Sequence, residues 1–299
     1  MTPIDRTTFE ELKQRVREQG LLNDNLREYL SPSSLSLYQD CGEAWRVRYV
    51  KGEPYGPPND KMVLGSYVHC LVEQYLKNVI SAYKSKGLHA SEVTIEQVRD
   101  INKALSTDID VLDLDDHFRE ERLKILGTFP DQEGGSPPWE AAKKNAQEIF
   151  NTWHKDMVQQ SYVPETAEET YYLRVGEIPV LCRVDMVLWD PLTNIRMAVD
   201  LKVGAMARDA NDSLQLAICG VATSAAHVAF WQLKPPKIRV GARSIPPAPL
   251  EITTKHKSFM SKIIEQTALG IRSNFFPYAN PTHWKCSSKF CDNYTKCRG

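Results

Sequence analysis

Two aspartates and a lysine stand in neighbouring segments whose apolar residues alternate. Asp185 lies in RVDMVL, and Asp200 and Lys202 lie in VDLK. If Trp189 pairs with Arg196 across the turn, Asp185 faces Asp200 with Cβ atoms about 5 Å apart, an arrangement that is destabilising unless a cation lies between the carboxylates. Mg²⁺ and Mn²⁺ prefer such oxygen ligands. We expect metal-assisted hydrolysis of a phosphodiester, with Lys202 orienting the attacking water. The alternative is a solvated strand face with one local salt bridge.

The same two segments predict one apolar and one polar face of a β-hairpin. Successive side chains on a strand point to opposite faces. The apolar face would carry Val184, Met186, Leu188, Val199, Leu201 and Val203. The polar face would carry Arg183, Asp185, Asp200 and Lys202. This alternation supports the same register as the turn.

The remaining elements indicate an α/β core ordered helix, three strands, helix, strand. Helices are expected over 8–30, 35–50, 63–83 and 255–272. The first is rich in charged residues. The third is amphipathic and carries His69 and Glu73 on one face. Strands are expected in ETYYLRV, PVLCRVDMVLW, IRMAVDLKV and HVAFWQL, with a helix in SLQLAICGVATSA. The predicted regions are an N-terminal helical segment (1–62), a core helix (63–87), a helical insertion (88–160), the sheet core (161–254) and a C-terminal helix with a cysteine cluster (255–299).

Composition matches an ordinary globular protein. The 299 residues are 42% hydrophobic and 25% charged, with a formal net charge of -1. No apolar run approaches the roughly 18 residues that span a bilayer. We therefore expect a cytoplasmic protein that holds any nucleic acid through local basic patches.

Three of the seven cysteines lie close together near the C-terminus. Cys286, Cys291 and Cys297 have the spacing C-x4-C-x5-C, which suggests metal ligands that need a fourth thiol. Four thiolates suit zinc or a 4Fe-4S cluster, and unligated thiols are the remaining alternative. Cys70, Cys182 and Cys219 stand in apolar segments and are expected to be buried.

These motifs, in this order, resemble the PD-(D/E)XK nucleases and within them the RecB-like branch. The segment SPSSLSLYQDCGEAWRVRYV resembles the N-terminal helix of that branch, including its cysteine, and GSYVH resembles its glycine-to-histidine motif. RVD and VDLK resemble its second and third motifs. Gln215, in SLQLAIC, corresponds to the glutamine of a later motif. The tyrosine that usually follows four residues later is Cys219 here.

The resemblance implies roles for individual residues. Asp185, Asp200, the Leu201 carbonyl and His69 would bind the metal, and a nitrogen ligand favours Mn²⁺. Taken alone, His69 would more simply pair with Glu73 one helical turn away. Gln215 would orient a water or Lys202, or would be a solvated helix residue.

The resemblance also implies which cysteine is the fourth ligand. Cys41 would join Cys286, Cys291 and Cys297 around a 4Fe-4S cluster, as in AddB-type and CRISPR-associated RecB-like exonucleases, with structural zinc as the alternative. The cluster would join the two chain ends, because metal-binding free energy becomes folding free energy. The implied activity is a DNA exonuclease that prefers single-stranded ends, in recombination, repair or replication.

Two basic segments and one aromatic segment are candidate DNA contacts. Segment 234–257 contains six basic residues and one glutamate, and segment 285–298 contains four basic residues and one aspartate. The excess positive charge of each segment could bind phosphates of the backbone. Trp45, Arg46, Arg48 and Tyr49 could stack on bases or pack around the cysteine cluster. A helicase or recombination protein is a possible partner. A non-catalytic DNA-binding subunit and an RNA-directed nuclease remain alternative functions.

Overall fold

The computed structural model describes residues 1–19, 28–53, 60–105, 139–204, 213–237, 241–282, 285–288, 291 and 293–298. The helices are α1 (Arg6–Glu18), α2 (Pro32–Asp40), α3 (Gly42–Tyr49), α4 (Asp60–Lys84), α5 (Ile95–Leu105), α6 (Trp139–Gln160), α7 (Leu214–Ala222), α8 (Thr254–Arg272) and α9 (Tyr294–Arg298). The strands are β1 (Thr2–Ile4), β2 (Val163–Val175), β3 (Ile178–Asp190), β4 (Ile195–Val203), β5 (His227–Lys234), β6 (Arg243–Ile245) and β7 (Leu250–Glu251).

One mixed sheet runs through the described part of the chain. Its strand order is β1-β2-β3-β4-β5-β6, with β7 also paired to β5. Strands β4 and β5 are parallel and the other pairs are antiparallel. The predicted α/β core is confirmed, with the edge strands β1, β6 and β7 added to it.

Helices cover both faces of the sheet. Helices α4, α5 and α6 pack on one face, and α1, α2, α3, α7 and α8 pack on the other. The apolar residues that recur every three to four positions along α4 face this core. Val68, Val72, Tyr75, Leu76, Val79 and Tyr83 are buried in it, and Ile80 is partly buried against it. No helix among the described residues is long and apolar enough to cross a membrane.

The predicted register of the β3–β4 hairpin is confirmed. Trp189 pairs with Arg196, and the ladder extends to Met186 opposite Val199, one residue short of Asp185 and Asp200. The predicted apolar face of β4 is also confirmed, because Val199 and Leu201 lie in the core beneath α4 and Val203 packs against it.

The predicted apolar face of β3 is wrong at Val184. Val184 lies in the core beneath α7, whereas Met186 and Leu188 lie in the core beneath α4. The strand changes faces at Asp185. Its antiparallel neighbour β2 changes faces at the same level, where Glu168 adopts a positive φ of 49°. The ladder between β2 and β3 skips these two residues, and this irregularity breaks the strict alternation that the prediction assumed.

Two helix predictions need correction. The helix expected over 8–30 ends at Glu18, and Leu30 forms a β-bridge with Val180. The helix expected over 35–50 is divided at Cys41, which is extended and caps α3 by accepting a hydrogen bond from the Ala44 N–H at 3.4 Å. The predicted insertion over 88–160 includes α5 and α6, while residues 106–138 lie outside the described part of the chain.

Candidate active site

Three side chains from three elements converge at the point where β2 and β3 change faces. His69 of α4, Glu168 of β2 and Asp185 of β3 form a group of ligand atoms within 4.8 Å of one another, the one such His/Cys/Asp/Glu group among the described residues. His69 Nδ1 lies 3.1 Å from Glu168 Oε1 and 3.8 Å from Asp185 Oδ2. We call this group the acidic trio.

The trio touches the backbone of β4 at Leu201. His69 Nε2 lies 3.1 Å from the Leu201 carbonyl oxygen, and Asp185 Oδ2 accepts a hydrogen bond from the Leu201 N–H at 2.7 Å. Two carboxylates and one carbonyl oxygen therefore lie around the imidazole of His69. This donor set fits Mn²⁺ or Mg²⁺, because carboxylate and carbonyl oxygens suit both ions and an imidazole favours the transition metal.

Glu168 was not among the residues predicted from the sequence. The turn at Gly176–Glu177 places Val175 opposite Ile178, and counting seven residues back and seven forward from that pair reaches Glu168 and Asp185. The counting that paired Asp185 with Asp200 could thus have found Glu168 as well. Arg183 holds the second oxygen of Glu168, with its Nε 2.6 Å from Oε2.

The electrostatics of the trio show why it needs a cation. Burial lowers the pKa of His69, but the hydrogen bond to Glu168 and the charges of the nearby carboxylates outweigh burial and raise the pKa to about 9. Burial and the charges of Asp200 and Glu168 raise the pKa of Asp185 to about 7, against the opposing effect of His69. Both nitrogens of His69 face oxygen acceptors, which is the arrangement of an imidazolium. A proton on His69 supplies positive charge beside these carboxylates, and a metal ion bound through His69 would take the place of that proton.

Asp200, Lys202 and Gln215 form a second group on the other side of β4. Lys202 Nζ lies 2.6 Å from Asp200 Oδ2, and Gln215 Nε2 donates to Asp200 Oδ1 at 2.6 Å. Lys202 Nζ also donates to Gln215 Oε1 at 3.3 Å. The amide of Gln215 therefore fixes both the acid and the lysine, which is the orienting contact that the sequence predicted for it.

The prediction that Asp185 and Asp200 share one polar face is wrong, because β3 changes faces at Asp185 and the two aspartates have partners on different sides of β4. Asp185 contacts His69 of α4, whereas Asp200 is buried and contacts Gln215 of α7. Their charges still interact, since Asp200 contributes to the raised pKa of Asp185. The predicted pairing of His69 with Glu73 is not observed. Glu73 instead binds Lys77, and His69 binds Glu168.

An open cleft of about 520 Å³ gives access to the trio. It is lined by His69, Glu168, Asp185 and Lys202, with Gly65 and Ser66 of α4 at its edge. Because the cleft is open to solvent, part of an extended polymer can enter it. Acid, imidazole and lysine groups therefore meet where an extended substrate can reach them.

Cys219 is buried and does not reach this cleft. Its sulfur lies 3.3 Å from that of Cys182, and both side chains are buried as expected. The third cysteine expected to be buried, Cys70, is only partly buried and lines the cleft. The hydrogen bond to Cys182, together with burial, raises the pKa of the Cys219 thiol. Cys219 is therefore a core residue and does not take over the position of a tyrosine hydroxyl in the cleft.

The predicted cysteine cluster is brought together only in part. The four thiols of Cys41, Cys286, Cys291 and Cys297 do not form a group within 4.8 Å among the described residues. The C-terminal segment nevertheless packs beside α2 and α3. Lys285, next to Cys286, forms an ion pair with Asp40, next to Cys41. Lys296, next to Cys297, lies 2.6 Å from Glu53.

Trp45 packs in the core rather than forming a surface platform. It is 1% exposed and stacks on Phe276 with ring centroids 5.8 Å apart. Tyr49 lies against the same indole at 5.2 Å. Of the two alternatives, packing inside the protein is better supported for Trp45 and Tyr49 than stacking on bases.

Comparison with known proteins places the chain in a family. A crystal structure of a protein described as a "Putative exonuclease" from Eubacterium rectale is 12% identical, with a TM-score of 0.49, and the alignment covers 99% of this chain and 94% of that one. The crystal structure of SSO0001 is 13% identical, with a TM-score of 0.31, covering 76% and 95%. No curated protein matches the chain. Residues 29–298 match the PD-(D/E)XK nuclease superfamily, and the chain belongs to that superfamily.

Proposed function

We propose that this chain is a metal-dependent deoxyribonuclease that hydrolyses phosphodiester bonds at single-stranded DNA ends. The observation that carries the proposal is the juxtaposition of the acidic trio with the Asp200–Lys202–Gln215 group across β4. Membership of a nuclease superfamily supplies the reaction class. The resemblance to the RecB-like branch supports the DNA substrate, the preference for single strands and the action at ends.

The residues that would hold the metal are His69, Glu168, Asp185 and the Leu201 carbonyl, and Asp200 stays a predicted ligand. A bound divalent ion would supply Lewis acidity toward the phosphate and lower the pKa of water. The Leu201 N–H already fixes the carboxylate of Asp185 at 2.7 Å, so this ligand is held in place by the backbone of β4. Arg183 holds Glu168 in the same way.

Lys202 is the group positioned to act on the reacting atoms. Lys202 lines the cleft, and its ammonium is fixed by Asp200 and Gln215. A cation in this position can orient a water molecule and offset the negative charge that develops on the phosphate oxygens. Gln215 is a positioning residue, because it contacts Asp200 and Lys202 through its two amide atoms.

The activity is tested with labelled linear single-stranded DNA, an end-blocked strand, circular single-stranded DNA and duplex DNA, each with Mn²⁺, with Mg²⁺ and with chelator. We expect metal-dependent digestion of the unblocked linear strand. Asp185→Asn retains an oxygen that can accept the hydrogen bond from the Leu201 N–H, but it removes the negative charge of a metal ligand. It should therefore abolish digestion. Lys103→Met, at an exposed lysine of α5, is the control. Full activity of Asp185→Asn, or digestion in chelator, would contradict the metal site. Digestion of circular DNA would contradict end dependence.

We further propose that Cys41, Cys286, Cys291 and Cys297 bind a 4Fe-4S cluster. The ion pairs of Lys285 with Asp40 and of Lys296 with Glu53 support this, because they hold the cysteine-bearing segment beside Cys41. Four thiolates are the ligands of such a cluster. Anaerobically purified protein should be brown, with absorbance near roughly 400 nm and about four iron atoms per chain. Colourless protein with stoichiometric zinc would contradict the proposal.

A further inference from the structure

A second cleft of about 660 Å³ lies between α2, α7, α8 and β5. Its lining includes Gln39, Gln215, Phe230, His256, Phe259 and Lys285. Its volume is within the range of roughly 300–1,000 Å³ that is typical of ligand sites. None of the candidate DNA contacts derived from the sequence included Phe230, His256 or Phe259.

This cleft is continuous with the candidate catalytic residues. Phe230 is the register neighbour of Asp200 on the parallel pair β4–β5. Lys202 Nζ lies 6.0 Å from the centre of the Phe230 ring. Gln215 lines the cleft and donates to Asp200. The cleft therefore borders the Asp200–Lys202–Gln215 group directly, and Lys202 connects it to the cleft of the trio.

The surface of the cleft combines an apolar floor with a polar edge. Phe230 and Met260 are almost completely buried and form its base, whereas Phe259 on α8 is 65% exposed. Gln39, His256 and Lys285 stand at its edge. The His256 ring is held at the start of α8, where its Nδ1 accepts from the Thr253 N–H at 3.1 Å. Asp40 also lines the cleft and is ion-paired with Lys285. Flat apolar area matches the base of a nucleotide, and the amide of Gln39 and the ammonium of Lys285 are the donors near it.

We propose that this cleft binds an unpaired nucleotide next to the scissile phosphate, with Phe259 as the ring on which its base stacks. The inference rests on the proposed nuclease function and adds a binding site to it. The occupant is a single strand, because the bases of a duplex are stacked on each other and are not available to an aromatic side chain. Phe259 would therefore contribute to the preference for unpaired ends.

The test measures binding without cleavage. Fluorescein-labelled single-stranded oligonucleotides are titrated with the full-length protein in EDTA at low salt, and anisotropy gives the Kd. Phe259→Ala should weaken binding roughly 5- to 100-fold, the usual effect of removing one stacking aromatic. Phe259→Trp should restore it. Phe275→Ala is the matched control, since Phe275 is 63% exposed but does not line the cleft.

An abasic series locates the contact. Oligonucleotides with one abasic position at successive distances from the end should bind the wild type less tightly at one or two positions. At those positions Phe259→Ala should cause no further loss, because the base that it would stack on is absent. Blunt duplex DNA should bind Phe259→Ala and wild type equally.

The outcomes separate this inference from the function on which it rests. If the wild type digests DNA but Phe259→Ala binds single strands as tightly as the wild type does, the nucleotide site is refuted and the nuclease function stands. Equal losses in Phe259→Ala and Phe275→Ala would also refute it. If the wild type neither binds nor digests any strand, both proposals fail.

Discussion

Replacing Glu168 by glutamine tests the acidic trio at the residue that sequence reasoning missed. Glu168 Oε1 lies 3.1 Å from His69 Nδ1, and Oε2 lies 2.6 Å from Arg183 Nε. Glutamine has the same size and keeps one oxygen acceptor, but it removes a negative charge from the donor set. We expect the affinity for Mn²⁺ to fall about 10- to 100-fold, the usual effect of changing a residue that orients or charges a metal site.

The size of the effect on thermal stability follows from mass action. At a Mn²⁺ concentration of about 100 times Kd, binding stabilises the wild type by about 2.7 kcal/mol. A tenfold loss of affinity reduces this to about 1.4 kcal/mol, and a hundredfold loss to about 0.4 kcal/mol. With about 2 °C per kcal/mol for a chain of this size, Mn²⁺ should raise the Tm of the wild type by about 5 °C and that of Glu168→Gln by about 1 to 3 °C.

The assay is a calorimetric or fluorescence melt with and without Mn²⁺, supported by titration calorimetry. Glu169→Gln is the matched control, because the neighbouring glutamate is exposed and has no atom in the trio. An undiminished shift in Glu168→Gln would refute the assignment of Glu168 to the metal site. Equal losses in both variants would show that net charge, rather than the geometry of the trio, governs metal binding.

Three further predictions concern the lysine, the packing of α8 and the cysteines. Lys202→Met should reduce the hydrolysis rate by about 10² or more while Mn²⁺ affinity changes little, as comparison of kcat with calorimetric Kd would show. Gly270→Ala should lower the free energy of unfolding in urea by about 1–3 kcal/mol, because a Cβ at this position would collide with the Tyr38 hydroxyl. Cys297→Ser should remove the absorbance near roughly 400 nm and lower the Tm, with hydrolysis by the remaining folded protein unchanged.

The register of the β3–β4 hairpin could be predicted because two independent signals agree on it. The turn and the alternation of apolar residues both pair Trp189 with Arg196, and the structure has this pair. The face of Val184 could not be predicted in this way. Alternation assumes extended residues throughout, and the left-handed conformation of Glu168 is not marked by a glycine or asparagine in the sequence.

The position of the C-terminal segment could not be predicted from the sequence, for a different reason. Its ion pairs, Lys285 with Asp40 and Lys296 with Glu53, join residues that are more than 240 positions apart. Exposed lysines and acids are common in both regions, so the sequence alone does not select these partners. The resemblance to cysteine-bearing nucleases suggested that the ends meet, whereas local patterns did not.

The change of faces in β2 and β3 explains how one site receives side chains from helices on both sides of the sheet. Val187 lies in the core beneath α7, so regular alternation would direct Asp185 to that same side, away from α4. The irregularity at Glu168 instead brings Asp185 to His69 of α4, while Asp200 stays with Gln215 of α7. The backbone of Leu201 lies between these two groups and bonds to both His69 and Asp185. The backbone irregularity therefore brings Asp185 to His69 on one side of β4. Asp200, Lys202 and Gln215 lie on the other side of the same strand.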